Sequence, residues 1–176
     1  MKYRNVRPVG EEVGISASEL KEYVVRPTLR ELGVWSPAME ALLLGTAAQA
    51  SQFGFHIKKG RGLGIFSIDS GTHREVWDNF LAFDPDKASY IRGTASQREF
   101  LKEPDHELIT NLVYATAIAW GVYASQEVEL PEEASDVQAL AQIWHNLYPR
   151  QDTTATPADF VENYRKYVSS GPKLVA

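Results

Sequence analysis

The chain has 176 residues, 44% of them hydrophobic and 23% charged, with a formal charge of −5. That composition excludes a disordered chain, and the length suits one domain with a sizeable core rather than two. The mild acidity argues against general nucleic-acid binding and against a membrane partner, and the lack of cysteine excludes disulfides, thiol catalysis and thiolate metal sites.

Residues 1–15 are polar and punctuated by Gly and Pro, and read as an arm preceding a single domain over 16–170, with a tail at 171–176. The arm has no apolar core of signal-peptide length, and no apolar run reaches about 18 residues, so host cytoplasm or a virion is the expected location. Ser16 and Glu19 have the spacing of a capping box, with Leu20, Tyr23 and Val24 following at helical spacing. Pro27 is expected to kink or divide that element, whose second piece ends at Gly33. Trp35-Ser36-Pro37 is a helix start, with Ser36 as N-cap. The segment 38–53, AMEALLLGTAAQASQF, is apolar on nearly every face and belongs in the middle of a domain, with Gly54 as its expected end.

Residues 58–64, KKGRGLG, form a basic glycine loop, and Ile65 to Ile68 reads as extended. Thr72 and Glu75 suggest a capping box before the stripe Val76, Trp77, Phe80 and Leu81, and Asp84-Pro85 breaks that helix. Ser96 and Glu99 suggest another box, and Pro104-Asp105 opens one long helix over about 105–125. After an acidic linker over 127–134, Asp136 caps a helix carrying Leu140, Ile143 and Trp144. Thr156-Pro157 with Asp159 opens the last, with Phe160, Tyr164, Tyr167 and Val168 on one face. The expected architecture is mainly α, a compact domain of about seven helices with little or no β.

Candidate chemistry gathers after residue 48. Lys58, Lys59 and Arg61, among Gly60, Gly62 and Gly64, present cations and backbone N–H groups to an anion, although solvated surface lysines fit the same residues. Phe53, Phe55 and Phe66 supply faces for stacking on a sugar or a base. His56 and His73 lie near the same region. His73, in the first turn of a helix, is expected to stay neutral, and neither histidine has partners at metal-ligand spacing. His106 and His145 read as surface residues, and Trp77, Trp120 and Trp144 as core.

The stretch from Leu42 to Leu81 carries a resemblance. Gln49-Ala50-Ser51 is similar to a Gln-Glu-Ser step at the end of a buried helix. Gly62-Leu63-Gly64-Ile65-Phe66 is similar to the glycine loop and apolar segment that follow it, and Thr72-His73 to a helix start. Together they resemble the lysozyme-like muralytic domains of tailed bacteriophages, related in plan to lytic transglycosylases. Asn111 to Ala117 and the Trp144…Tyr148 helix resemble later helices of that group. The resemblance implies a lysozyme-like fold, peptidoglycan glycan as partner and no cofactor. It also implies a cleft, and with the basic loop read above the candidate ligand-binding residues are Gln49, Ser51, Phe53, His56, Lys58, Lys59, Arg61, Gly64, Phe66, Ser67 and His73.

It further implies that position 50 is that of the general acid. A carboxylic acid at the end of a buried helix keeps its proton because desolvation disfavours the carboxylate, and can then protonate a glycosidic oxygen. Ala50 has no proton to give. Glu40 lies about 15 Å earlier along the same helix and well off its face. Asp69 is the possible second carboxylate, or else the cap of the helix that follows. Ser67 stands where the family pattern has glutamine, and Ser70-Gly71 where it has Pro-Ala. Several altered positions together point to a natural sequence released from hydrolysis rather than to one deliberate change. Three readings stay open here: an inactive lysozyme-like protein that binds glycan or serves a virion, a cleft retuned to hold a small anionic ligand such as a nucleotide, and a muralytic enzyme disabled by a glutamate-to-alanine change.

Overall fold

The computed structural model describes residues 14–170, so all but the end of the expected arm, and the expected tail, lie outside it. Among the described residues, nine helices surround one core and a two-stranded hairpin is the only sheet. The mainly α architecture expected from the periodicity is present, with two more helices than anticipated. None is long and apolar enough to cross a membrane.

Helix α1 spans 17–31. Pro27 does not divide it. Lys21–Val25 is a π-helical turn, and this wider turn sits where the ladder would otherwise need the N–H that proline lacks. The expected Ser16 capping box does not form either, because the Ser16 hydroxyl pairs with that of Ser18 at 2.9 Å.

Helix α2, Pro37–Ser51, starts where the sequence indicates, with the Ser36 side chain accepting from the Met39 N–H at 3.1 Å. Every residue from Ala38 to Ala48 is buried, and α2 touches α1 as well as three later helices. It ends before Gly54, because Gln52 and Phe53 turn left-handed at φ 51° and 56°. Glu40 is buried within the fold, held by Arg26 at 2.8 Å and by the Trp35 indole N–H at 2.7 Å. Burial works against its carboxylate, but the hydrogen bonds of Arg26 and Trp35 outweigh it and hold its pKa below the usual range.

Strands β1 (Lys58–Lys59) and β2 (Gly62–Leu63) form an antiparallel hairpin. Residues 65–68 are not an extended strand. They fold into a turn closed by Leu63 and Ile68, whose backbones exchange hydrogen bonds at 2.9 and 3.1 Å. Gly64 is required there: its φ is 73°, and a Cβ would lie 1.7 Å from the Leu108 carbonyl oxygen.

Helix α3 is Ser70–Asn79, and its cap is Asp69 rather than Thr72, since the Asp69 carboxylate accepts from the Thr72 N–H at 2.8 Å. Asp84-Pro85 does more than break a helix; it caps and opens α4, Pro85–Thr94. Helix α5 is Gln97–Lys102, with Ser96 as cap. The long helix expected over 105–125 is two. A short α6, Glu107–Thr110, stops at Asn111, which is extended and whose side chain caps α7, Leu112–Ala124. Helix α8, Val137–Leu147, and α9, 157–169, begin at their expected caps, Asp136 and the Thr156/Asp159 box.

Candidate functional site

The C-terminal turn of α2 brings Gln49 and Ala50 to a small cavity, roofed by the segment that follows α8 and walled by the β1–β2 hairpin. Its volume is about 40 Å³, whereas a water molecule's share of liquid volume is about 30 Å³. It admits a water-sized group or a small substituent of a ligand. Lys59 from β1 and Ser67 from the turn after β2 line it on one side. Tyr148, Arg150 and Gln151 line it on the other.

Each wall is fixed by identifiable bonds. The buried Ser51 hydroxyl donates to the Ile65 carbonyl at 2.6 Å and accepts from the Gly54 N–H at 2.8 Å, tying the helix end to the turn after β2. The Tyr148 hydroxyl donates to the Phe66 carbonyl at 2.8 Å, and burial pushes the phenol pKa well up, so it remains a donor. Gln49 accepts from the Asn163 amide at 2.5 Å, which fixes its carbonyl and leaves its NH2 uncommitted. Arg150 donates to the Ala155 carbonyl at 3.0 Å and lies over the Trp144 ring, 5.4 Å from its centroid. Gln151 closes the rim by donating to Asp69 at 3.4 Å.

Ser67 is the unusual wall. It is only 7% exposed, its φ is 51°, and its hydroxyl is buried with no hydrogen-bond partner among the described residues. A Cβ at Gly62 would come within 2.0 Å of that hydroxyl oxygen, so only glycine across the hairpin leaves room for it.

Gln49, Ala50, Lys59 and Ser67 thus line one cavity, and Asp69 stands at its rim. Asp69 is committed. Burial raises its pKa, but bonds from Thr72 and Gln151 outweigh that and hold it below the usual carboxylate range. A carboxyl group in that state is no proton donor near neutral pH. Other residues of the expected set lie elsewhere. Phe53 and Phe66 are core, at 0% and 1% exposure, so neither offers a face for stacking. His56, Lys58 and Arg61 are exposed along the hairpin, and Phe55 is 42% exposed there. Gly64 serves the backbone, as described above.

His73 points into the core. Its Nδ1 lies 2.6 Å from the Asp105 carboxylate and its Nε2 2.6 Å from the Tyr114 hydroxyl, which also accepts from the Trp77 indole at 2.9 Å. Burial pushes its pKa below the ordinary value, with Asp105 opposing, so the imidazole is neutral because it is buried rather than because of its helix. Among the described residues no group of three His, Asp or Glu side chains is placed to hold a metal ion.

Sequence reasoning missed Arg150 and Gln151. No local spacing marks them, because they reach the cavity across the fold: Gln151 meets Asp69 82 positions away. Comparison with protein-family models, with curated proteins and with solved structures finds no match.

Proposed function

We propose that this chain is a lysozyme-like domain that binds a ligand of the bacterial wall glycan type without cleaving it. One observation carries the reading. Ala50 lines the cavity at the end of the buried helix; Asp152 in the lining accepts from its own loop, and Asp69 at the rim is tied up as a helix cap and held ionised. General-acid hydrolysis of a glycoside needs a carboxyl group that keeps its proton beside the leaving oxygen. A methyl group cannot supply one, and Glu40 is locked to Arg26 and Trp35 within the fold.

The order of the elements supports the lysozyme-like plan. A buried helix ends at Gln49-Ala50-Ser51, a glycine hairpin follows, and a helix then starts beside Thr72-His73. Uncommitted polar groups around the cavity support binding, since groups left over from hydrolysis alone would have no reason to stay open to a ligand.

Two measurements on the same protein test this. Permeabilised bacterial walls should not clear in a turbidity assay, while the protein should co-sediment with insoluble peptidoglycan. Clearing by this very sequence would overturn the loss of the acid. Failure to sediment would overturn the binding. Ala50→Glu is the informative variant, because regained clearing would show that only the acid separates this cleft from a muralytic one.

A further inference from the structure

Reading the cavity as a binding site leaves its ligand chemistry open, and its walls narrow that chemistry. The polar groups facing it are mostly donors. Among the described residues Lys59 makes no ion pair, although its charge acts on Asp152, and Arg150 spends one N–H on Ala155. Gln49 has its carbonyl occupied by Asn163 and its NH2 free. The Ser67 hydroxyl is more than nine-tenths buried without a partner among the described residues. The one carboxylate in the lining, Asp152, is turned to its own loop, accepting from the Thr154 N–H at 2.9 Å and its hydroxyl at 2.6 Å.

From this juxtaposition we infer that the cavity between Ala50, Ser67, Lys59 and Arg150 is a site for a small oxyanion, a phosphoryl or carboxylate group at the end of a ligand. The inference rests on the reading that the cleft binds rather than cuts. Size agrees with it, since the cavity has room for a small substituent. Charge is compatible with it: Lys59 and Arg150 face Asp152 in the lining and ionised Asp69 at the rim, and both carboxylates are already hydrogen-bonded within the fold. Ala50 adds no further acid to that wall. Arg150 suits the role because its guanidinium, resting over the Trp144 ring at 5.4 Å from the centroid, is a planar fork of donors with only one N–H given to Ala155. Ser67 in the same lining is held left-handed, its hydroxyl packed towards Gly62 with no partner among the described residues, a local cost of the kind found at binding sites.

Calorimetric titration at low ionic strength tests the inference, with inorganic phosphate, pyrophosphate, lactate and the neutral trimer of N-acetylglucosamine as probes. Saturable binding of at least one anion is expected; the phosphate and lactate arms separate phosphoryl from carboxylate ligands. Lys59→Ala, Arg150→Ala and Ser67→Ala should each weaken it by about tenfold or more, the loss of one charge-assisted or buried hydrogen bond. Anion binding that survives both Lys59→Ala and Arg150→Ala, each checked for folding by its thermal transition, would overturn the proposal. Binding of the neutral trimer alone would overturn it while leaving the proposed function standing, and binding of neither would overturn both.

Discussion

Ser67 combines two local costs in one residue. A left-handed conformation costs a non-glycine residue about 1–2 kcal/mol, and a buried hydroxyl without a partner about as much again. Replacing it with glycine removes both costs and adds back up to about 1 kcal/mol of backbone entropy in the unfolded chain. Ser67→Gly is therefore expected to stabilise the protein by about 1 kcal/mol in urea denaturation, while weakening anion binding. A destabilised variant would mean that the hydroxyl is satisfied in the native fold. The two readouts moving in opposite directions is what a site maintained against stability produces. At this scale the sequence was partly legible. Gln49, Ala50, Lys59 and Ser67 could be singled out because they sit in one short stretch with a patterned resemblance. Phe53, Phe66 and His73 sit in the same stretch yet face the core, since a helix end and tight turns send neighbouring side chains in opposite directions. Arg150 and Gln151 were illegible, because nothing local encodes a contact made across the fold.

Helix starts were read well from sequence, because a cap is a local arrangement of one side chain and one N–H. Ser36, Ser96, Asp136 and Thr156 all accept from the residue three positions on. Interruptions were read poorly. The apolar pattern runs through Asn111 without a break, yet its side chain accepts from the Tyr114 N–H at 3.0 Å and donates to the Thr94 carbonyl at 2.8 Å. An asparagine that can bond the backbone locally competes with the helix interior, and here the bond to α4 decides the outcome. Pro27 is the converse case, a residue that ordinarily interrupts and here does not, since a π turn takes up its missing bond. Asn111→Ala removes both the cap and the tie to α4, and should cost about 2 kcal/mol in denaturant unfolding. Asn111→Ser, which keeps a capping oxygen, should recover about half of that. A neutral Asn111→Ala would mean that α6 and α7 can run on as one helix, and that the break is not built by this residue.

Across the whole molecule, a single polar chain fastens α3 to the segments on either side of α6. The hydrogen bonds are consistent in one direction only. His73 Nδ1–H donates to Asp105, Nε2 accepts from the Tyr114 hydroxyl, and the Tyr114 oxygen accepts from Trp77. A proton on Nε2 would turn to the Tyr114 oxygen beside the Trp77 N–H and leave the Tyr114 hydroxyl proton without that acceptor. Burial, against the pull of Asp105, accordingly keeps the folded pKa of His73 below 6.5. The unfolded chain takes up that proton near its ordinary value of about 6.5, before the folded protein does. Stability is therefore full above that value and falls as pH drops through it, by at most about 1.4 kcal/mol per pH unit, levelling once folded His73 protonates. Asp105 adds a second, more acidic loss. Burial raises its pKa, but bonds from His73 and Ser70 outweigh that, as Arg26 and Trp35 do for Glu40. These carboxylates stabilise the fold above their ordinary pKa values of about 4, and that contribution disappears as pH falls through their lower folded ones. Acid unfolding should thus show two separate declines. His73→Gln should flatten the one between pH 7 and 5 and reduce the Asp105 part of the one below pH 4, leaving the Glu40 part. In the unaltered protein, ring carbon resonances of His73 should show no titration at pH 6.5. A midpoint there would sink the assignment, because a neutral imidazole in that position is what the direction of the whole chain of hydrogen bonds requires.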